Sequence, residues 1–444
     1  MKNDNIAAIS TAMGAAGVAV IRISGDSPLS VVEKMFKPTG KTLVKDFEPN
    51  KMYAGEIKAD GFSDFGLCVY FKAPKSFTGE DTVEFHSHGG VAIAQGVLSK
   101  ILSLGARLAR NGEFTKRAFL NGKLSLASAE GLIDMINSEF IGGVKAGYSL
   151  YRERLTGKVN AMQNKLTAAI SHIDADMDFP EEGLEETSRE EVKFVLSEVI
   201  AETDRLISSF KSGARVAHGV KVAICGKPNV GKSSILNALL NYDKAIVSDI
   251  AGTTRDVVEG NIDINGVRFN LFDTAGIRDA ASDIESLGVR LSEKTVKSSD
   301  IVLFVLSAKG VDLEDEKVYD LIKDYPHITV MNKTDAGNLK DDRADLEISA
   351  KTGKGVEELR KTLYDRTIGG IDFSGDFLCE ERHYQALKNA RDKLSDALRA
   401  VDDTPLDILS VDILAGWQYL GEISGKTATE EIINDIFSRF CVGK

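Results

Sequence analysis

Hydrophobic and polar residues follow two different periods along the first half of the chain. Val18 to Gly25 and several runs between Gly55 and Phe71 alternate as half-buried strands do. From Phe119 to about Ala214, apolar residues instead recur every three or four positions, as in the stripe from Leu155 to Met177. The pattern predicts an α+β N-terminal domain followed by helices, with the acidic segment 174–191 as a solvated loop between them.

A third pattern lies between about residues 215 and 377. Apolar runs such as Val220 to Cys225 and His327 to Met331 are typical of buried strands. Asn265-Gly266 predicts a tight hairpin, and therefore an antiparallel edge on an otherwise parallel sheet. Beyond this region a helical stripe resumes, and Thr427-x-x-Glu430 predicts the capping box of a last helix that continues through Phe440.

The segment Gly226-Lys-Pro-Asn-Val-Gly-Lys-Ser233 joins the run that ends at Cys225 to a helical segment. Its glycines permit a tight turn whose N–H groups surround phosphate oxygens, while Lys232 adds positive charge and Ser233 a magnesium ligand. The alternative is that this segment is a glycine-rich turn between a strand and a helix that binds no ligand. The residues expected to contact nucleotide here are Asn229, Val230, Gly231, Lys232, Ser233 and Ser234.

Three further elements follow predicted strands and favour a nucleotide site. Asp273-Thr-Ala-Gly276 places an aspartate near the magnesium shell and a glycine N–H near the terminal phosphate. Asn332-Lys-Thr-Asp335 supplies a carboxylate that can accept both N–H donors of a guanine edge, and Ser349-Ala-Lys351 completes the base pocket. The four elements together predict GTP. The candidate residues added here are Asp273, Thr274, Ala275, Gly276, Asn332, Lys333, Asp335, Ser349, Ala350 and Lys351.

The residue after Asp-x-x-Gly is Ile277, where Ras-like proteins carry a glutamine that orients the attacking water. Another group must therefore position that water. The segment from Ala245 to Asp256 lies where the first switch loop is expected and carries two adjacent threonines. One threonine hydroxyl can bind magnesium, and carbonyls nearby can bind a second cation.

These motifs, together with Gly112-Glu-Phe-Thr-Lys-Arg-Ala-Phe119 and the terminal Phe440-Cys-Val-Gly-Lys444, resemble the MnmE family of tRNA-modifying GTPases, also called TrmE. The resemblance covers nearly the whole chain. It implies magnesium bound by Ser233 and Thr254, and Glu285 as the residue that orients water. It implies potassium bound by Asn229, Ser248, Ile250 and Thr253. The switch residues it implies at the nucleotide are Ser248, Asp249, Ile250, Ala251, Gly252, Thr253 and Thr254.

The resemblance also implies a second ligand and several partners. The ligand is 5-formyltetrahydrofolate, bound by Arg22, Glu84, Lys123 and Lys444. Nearby, the chain reads Gly14-Ala-Ala-Gly17 where the family commonly has an arginine. The partners are a second copy in a homodimer, tRNA, and an FAD-dependent MnmG/GidA-like protein in a heterotetramer. Together they would modify C5 of the wobble uridine with a (carboxymethyl)aminomethyl-type group.

We therefore expect a multidomain α/β and α+β fold. The predicted segments are an N-terminal α+β tetrahydrofolate-binding and dimerisation domain at 1–118, a discontinuous all-α domain at 119–214 and 378–444, and an inserted Ras-like P-loop GTPase domain at 215–377. Two alternative functions stay open from the sequence. They are a ribosome-assembly GTPase and a GTP-regulated scaffold without significant turnover.

Composition restricts the nucleic-acid surface, the cellular compartment and the membrane association that we expect. The chain has 55 Lys and Arg against 67 Asp and Glu, a net charge of −12, so a uniformly basic nucleic-acid surface is excluded and tRNA must meet a local patch. Four dispersed cysteines form no Cys-x-x-Cys pair, which favours reduced thiols and a cytoplasmic protein. The sequence has no apolar run long enough for a bilayer, so no membrane association is expected.

Overall fold

The computed structural model describes residues 4–178, 185–244, 260–273, 295–369 and 377–444. The chain divides into two compact units. Unit 1 comprises Met1–Ile133, Leu150–Val199 and Asn389–Lys444, and unit 2 comprises Asp134–Ser149 and Ile200–Lys388. The finer boundaries expected from the sequence stay a prediction.

The described strands and helices are numbered here in chain order. The strands are β1 (Ile6–Ile9), β2 (Ala16–Gly25), β3 (Phe36–Pro38), β4 (Met52–Ala59), β5 (Phe62–Phe71), β6 (Asp81–Gly89), β7 (Arg107–Leu108), β8 (Val220–Cys225), β9 (Gly260–Ile264), β10 (Val267–Asp273), β11 (Ile301–Ser307), β12 (His327–Asn332) and β13 (Leu346–Glu347). The helices are α1 (Leu29–Met35), α2 (Val91–Ser103), α3 (Glu113–Leu120), α4 (Leu126–Asn137), α5 (Ile141–Tyr151), α6 (Arg154–Asp178), α7 (Glu185–His218), α8 (Lys232–Lys244), α9 (Leu313–Ile322), α10 (Val356–Thr367), α11 (Glu381–Ala400), α12 (Leu406–Ser424) and α13 (Glu430–Ser438).

Unit 1 contains a seven-stranded sheet in the order β3-β4-β5-β6-β2-β1-β7. Its neighbouring strands are antiparallel except β1 and β7, which are parallel. One face is apolar because alternate residues such as Ile21 and Ile23 point inward, where Val32 of α1 and Val97 of α2 join the same core. This arrangement confirms the α+β fold class expected for the N-terminal part.

Helices make up the rest of unit 1. Helix α6 packs along α12, and the amide nitrogen of Gln163 donates to the carbonyl of Trp417 at 3.0 Å. The predicted stripe on α6 is core, since Leu155, Val159 and Leu166 are buried.

Unit 2 contains a six-stranded sheet in the order β13-β12-β11-β8-β10-β9. All neighbouring strands are parallel except β9, which pairs antiparallel with β10. Asn265 and Gly266 join these two strands with φ angles of 55° and 82°, as a primed hairpin turn requires. The predicted Ras-like sheet and its antiparallel edge are therefore confirmed. Strand β11 is buried along its whole length because apolar clusters cover both faces of the sheet.

Two sequence predictions about local structure were wrong in their bounds. The acidic segment 174–191 does contain the end of α6 at Asp178 and the start of α7 at Glu185, but it is helical wherever it is described. Glutamate is a good helix former, so negative charge alone did not indicate a loop. The last helix is capped by Thr429, whose hydroxyl accepts from the N–H of Ile432, while Thr427 donates instead to the carbonyl of Gln418 at 2.6 Å.

Within the described ranges, every helix is too short or too polar to cross a lipid bilayer.

Candidate functional site

The predicted nucleotide residues gather at one edge of the six-stranded sheet. The loop at 226–231 follows β8, which lies between β10 and β11, and Asp273 and Asn332 are the last residues of β10 and β12. Since these strands are parallel, their carboxyl ends meet at the same edge. Ligands of open parallel sheets bind at that edge.

The phosphate loop needs glycine at two positions. Gly226 and Gly231 have φ angles of 150° and 102°. A Cβ on Gly231 would lie 2.4 Å from the amide nitrogen of Asn332, and one on Gly226 would lie 2.5 Å from the carbonyl oxygen of Val305. Both the backbone conformation and the close approach of neighbouring atoms therefore exclude a side chain.

The charged and hydroxyl groups expected at the phosphates are already in place. The buried Lys232 ammonium donates to the carbonyls of Gly226 and Lys227 at 2.8 and 3.0 Å. The Ser233 hydroxyl donates to a carboxylate oxygen of Asp273 at 3.1 Å. Two oxygen-bearing side chains are thus adjacent, and oxygen is the donor atom that magnesium prefers.

Asn332 connects the base loop to the phosphate loop. Its side chain is 1% exposed, donates to the carbonyl of Val230 at 3.0 Å and accepts from the N–H of Ala350 at 3.1 Å. The next residue, Lys333, adopts a left-handed φ of 64°, and its ammonium donates to the carbonyl of Asn229. A non-glycine residue in this conformation is a strained feature that often accompanies a functional site.

Asp335 projects an exposed carboxylate beside this loop. The Ser349 hydroxyl donates to it at 2.7 Å. This hydrogen bond, with Lys351 and Lys309 nearby, holds the pKa of Asp335 below its usual range. The group is therefore an ionised acceptor at neutral pH, as recognition of guanine N–H donors requires.

Several predicted residues lie outside the described part of the chain. They are Ser248, Asp249, Ile250, Ala251, Gly252, Thr253, Thr254, Thr274, Ala275, Gly276, Ile277 and Glu285.

The candidate folate residues in unit 1 meet around two aromatic rings. The Arg22 guanidinium donates to Glu84 at 2.7 Å and lies 5.5 Å from the ring centroid of Phe77 and 5.7 Å from that of Phe114. The N–H of Phe114 donates to the carbonyl of Lys444 at 3.2 Å, so the chain terminus reaches the same place.

Lys123 lines the same hollow as Phe77. Its ammonium donates to the carbonyl of Pro74 at 2.8 Å. A hollow of about 290 Å³ opens here, and its lining residues are Ser76, Phe77, Lys123, Leu124, Tyr151 and Glu153. Phe77 and Phe114 were missed by sequence reasoning because a lone phenylalanine carries no signal beyond burial.

Sequence reasoning also missed an ion pair at the phosphate loop. Lys227 contacts Asp312 and Asp315 at the start of α9. Asp312-Leu-Glu-Asp315 is readable as a capping box, but no local pattern shows that it meets the loop.

This phosphate loop, the adjacent Ser233 hydroxyl and Asp273 carboxylate, and the base loop on a parallel sheet define a P-loop GTPase. The family model described as "MnmE helical domain" matches residues 126–441, and the one described as "GTP-binding protein TrmE N-terminus" matches residues 5–123. The chain belongs to the MnmE family of tRNA modification GTPases. It is therefore an enzyme that hydrolyses GTP and acts in tRNA modification, as the motifs and the resemblance predict.

Individual relatives agree with this assignment. The tRNA modification GTPase MnmE of Thermoanaerobacter pseudethanolicus is 39% identical, with 99% of each chain covered. That of Moorella thermoacetica is also 39% identical, with 100% of each chain covered. Among solved structures, an Era variant from Aquifex aeolicus bound to GDP and AlF4- is 31% identical over 39% of this chain and 66% of its own, with a TM-score of 0.27. That score is too low to support the assignment.

Proposed function

We propose that this GTPase requires potassium and, with an FAD-dependent MnmG/GidA-like partner, modifies C5 of the wobble uridine of certain tRNAs. The group added would be of the (carboxymethyl)aminomethyl type. The observation that carries the proposal is the bridge made by Asn332, which holds the phosphate loop and the base loop together at one sheet edge. Hydrolysis would reorganise the paired GTPase domains of a homodimer rather than supply the transferred group.

The potassium claim is supported by the backbone conformation and the exposed side chain of Asn229. Its φ of 63° lies in the left-handed region that asparagine tolerates, and its backbone carbonyl accepts a hydrogen bond from the Lys333 ammonium. The side chain is exposed and makes no hydrogen bond within the described residues. Its amide oxygen is therefore available for a cation beside the phosphates, where positive charge stabilises the transferring group. Ser248, Ile250 and Thr253 would complete this site.

The magnesium claim is supported by the pairing of Ser233 with Asp273. We assign direct coordination to Ser233 and Thr254, with Asp273 accepting hydrogen bonds at the edge of the magnesium shell. When bound, the ion would neutralise charge on the phosphate oxygens. Lys232 would supply the second fixed positive charge, and Glu285 would orient water for attack.

The folate claim is supported by the convergence of Arg22, Glu84, Lys123 and Lys444 around Phe77 and Phe114. An aromatic pteridine fits against phenylalanine rings, and a guanidinium–carboxylate pair can exchange hydrogen bonds with its ring edge. A formyl-tetrahydrofolate bound here would supply one carbon to the modification, and the reduced flavin of the partner would supply the two electrons that take this carbon from the formyl to the methylene level.

The protein would act in the cytoplasm, in a heterotetramer with its FAD-dependent partner.

The test is steady-state GTP hydrolysis in potassium and in matched sodium, on the native chain and on Asn229→Ala. Asn50→Ala is the control, because Asn50 is an exposed asparagine with the same φ of 63° in unit 1. We expect potassium to raise the native rate by about tenfold or more. Asn229→Ala should lose this stimulation and keep its GDP affinity, while Asn50→Ala should behave as the native chain.

Equal rates in the two salts would disprove the potassium claim. The tRNA claim has a separate readout, which is the mass of the wobble nucleoside after incubation with the FAD-loaded partner, a reductant for its flavin, 5-formyltetrahydrofolate, an amine donor such as glycine, GTP and undermodified tRNA. An unchanged nucleoside under conditions of active hydrolysis would contradict it.

A further inference from the structure

The loops after β8 and β11 lie side by side because these two strands are parallel neighbours in the sheet. The first loop carries Lys227 and the second leads into α9. The Lys227 ammonium lies 2.8 Å from a carboxylate oxygen of Asp312 and 2.7 Å from one of Asp315. One lysine of the phosphate loop is thus fastened to the start of a helix in another part of the chain.

Asp315 makes this contact more than a surface ion pair. Its side chain is 0% exposed, and one carboxylate oxygen accepts from both the Lys227 ammonium and the N–H of Asp312, the latter at 3.0 Å. The other oxygen is buried without a hydrogen-bond partner among the described residues. A buried carboxylate needs a paired cation, and within the described ranges Lys227 is the one that contacts it.

The helix cap does not itself require Lys227. The second carboxylate oxygen of Asp312 accepts from the N–H of Glu314 at 3.0 Å, so the first turn of α9 is capped from its own residues. The lysine therefore contributes to something other than helix initiation.

The backbone of Lys227 connects this ion pair to the phosphate site. Its carbonyl accepts from the Lys232 ammonium at 3.0 Å. A shift of Lys227 would move that carbonyl, and with it the charge expected to meet the β- and γ-phosphates. The side chain of one loop lysine thereby fixes the position of the other.

We infer that Lys227, Asp312 and Asp315 form a loop clasp that holds the phosphate loop in its binding shape. Lys227 is a positioning residue for the GTP site described above, on which the inference rests, and it acts through Lys232 without touching the nucleotide. The clasp gives the loop its shape before ligand arrives, so phosphate binding does not have to order it.

The test measures affinity for GDP and for guanosine by calorimetry on Lys227→Met, which removes the charge and keeps the apolar stem. The clasp acts on phosphate and the base loop acts on guanine. We therefore expect GDP affinity to fall about tenfold or more and guanosine affinity to stay within about twofold. Lys323→Met is the control, because Lys323 pairs with Asp320 on the exposed surface just beyond α9. Its affinities should not change.

Two further variants separate positioning from folding. Lys227→Arg keeps the cation and should restore most of the GDP affinity. Asp315→Asn should lose GDP affinity as Lys227→Met does, and the double variant should be no weaker than either single one, because both remove the same contact.

GDP affinity of Lys227→Met within twofold of native would overturn the clasp. Equal losses for GDP and guanosine, with a matching fall in melting temperature, would also overturn it, since that result indicates a structural role only. Failure of the native chain to bind GDP would contradict the GTP site itself and not the clasp alone.

Discussion

The nucleotide site of unit 2 and the Arg22 site of unit 1 are built in different ways. In the nucleotide site, Asn332, Lys232 and Lys333 donate to carbonyls of a single short loop. In the Arg22 site, side chains from β2 and β6 meet aromatic rings from a loop and from α3, together with the chain terminus. The nucleotide site is built from local sequence motifs at strand ends. The residues of the Arg22 site come from distant parts of the sequence and meet only in the folded chain.

This difference determines how each site responds to amino-acid substitutions. A site held through backbone carbonyls depends on a few side chains whose loss leaves buried polar groups without partners. A site assembled from separate side chains loses one ligand contact at a time. Substitutions in the two places should therefore differ in size and in whether they also destabilise the fold.

The largest effect is expected from Asp335→Asn. Replacing the carboxylate should remove the two charge-assisted hydrogen bonds proposed between Asp335 and guanine, worth about 3 to 6 kcal/mol together, so GDP affinity should fall on the order of 100-fold or more. Xanthosine diphosphate should bind Asp335→Asn more tightly than it binds the native chain, because its C2 oxygen can accept from the new amide. Calorimetry with both nucleotides measures this, and unchanged GDP affinity would remove Asp335 from the base site.

Arg22→Ala should weaken binding of 5-formyltetrahydrofolate by about 10- to 100-fold, since one charge-assisted contact of about 1.5 to 3 kcal/mol is lost. GDP affinity should not change. Arg22→Lys keeps the charge but loses the planar fork, so it should fall between native and alanine. Arg399→Ala, an exposed arginine of the same unit, is the control. Folate binding that is equal in all four proteins would take Arg22 out of the site.

Asn332→Ala should reduce stability as well as affinity. The substitution leaves the carbonyl of Val230 and the N–H of Ala350 without their side-chain partner, at a cost of about 1 to 3 kcal/mol. Chemical denaturation without nucleotide measures the loss, with Asn338→Ala as an exposed control from the same unit. The Arg22 side chain instead donates to the Glu84 carboxylate. An equal loss of stability in Asn332→Ala and Arg22→Ala would therefore contradict the contrast between the two sites.

The smallest effect concerns pH. The Ser349 hydrogen bond lowers the pKa of Asp335, so the carboxylate proposed to accept from guanine stays ionised to lower pH than an ordinary aspartate. The ratio of the GDP affinities of the native chain and Asp335→Asn, in which titration of the terminal phosphate of GDP near pH 6 cancels, should stay level from pH 8 to about pH 5 and fall only below the usual carboxyl range near 4. Ser349→Ala should move this fall to higher pH. A fall of the ratio beginning near pH 6 would indicate another titrating group of the protein.

The parts of the fold that the sequence predicted are those with a strict local requirement. The hairpin at Asn265-Gly266 needs positive φ angles, and the loop at 226–233 needs glycines where neighbouring atoms come close. The misplaced cap at Thr427 fails for the opposite reason, because several nearby hydroxyls could serve and tertiary contacts choose among them.

The candidate sites divide in the same way. Asn332, Asp335 and Ser349 were readable because their motifs follow predicted strands of one sheet. Lys227 was not, because its partners lie 85 residues or more further along and meet it only through the pairing of β8 with β11. The same limit of sequence reasoning applies to Arg22, because an arginine on a strand resembles any other polar residue there.

The most direct test of two separate ligand sites is a calorimetric matrix of GDP and 5-formyltetrahydrofolate against the native chain, Asp335→Asn and Arg22→Ala. The native chain should bind both ligands, Asp335→Asn should lose only GDP and Arg22→Ala should lose only folate. A variant that loses both ligands while its melting temperature is unchanged, or a native chain that binds only one of them, would contradict this expectation.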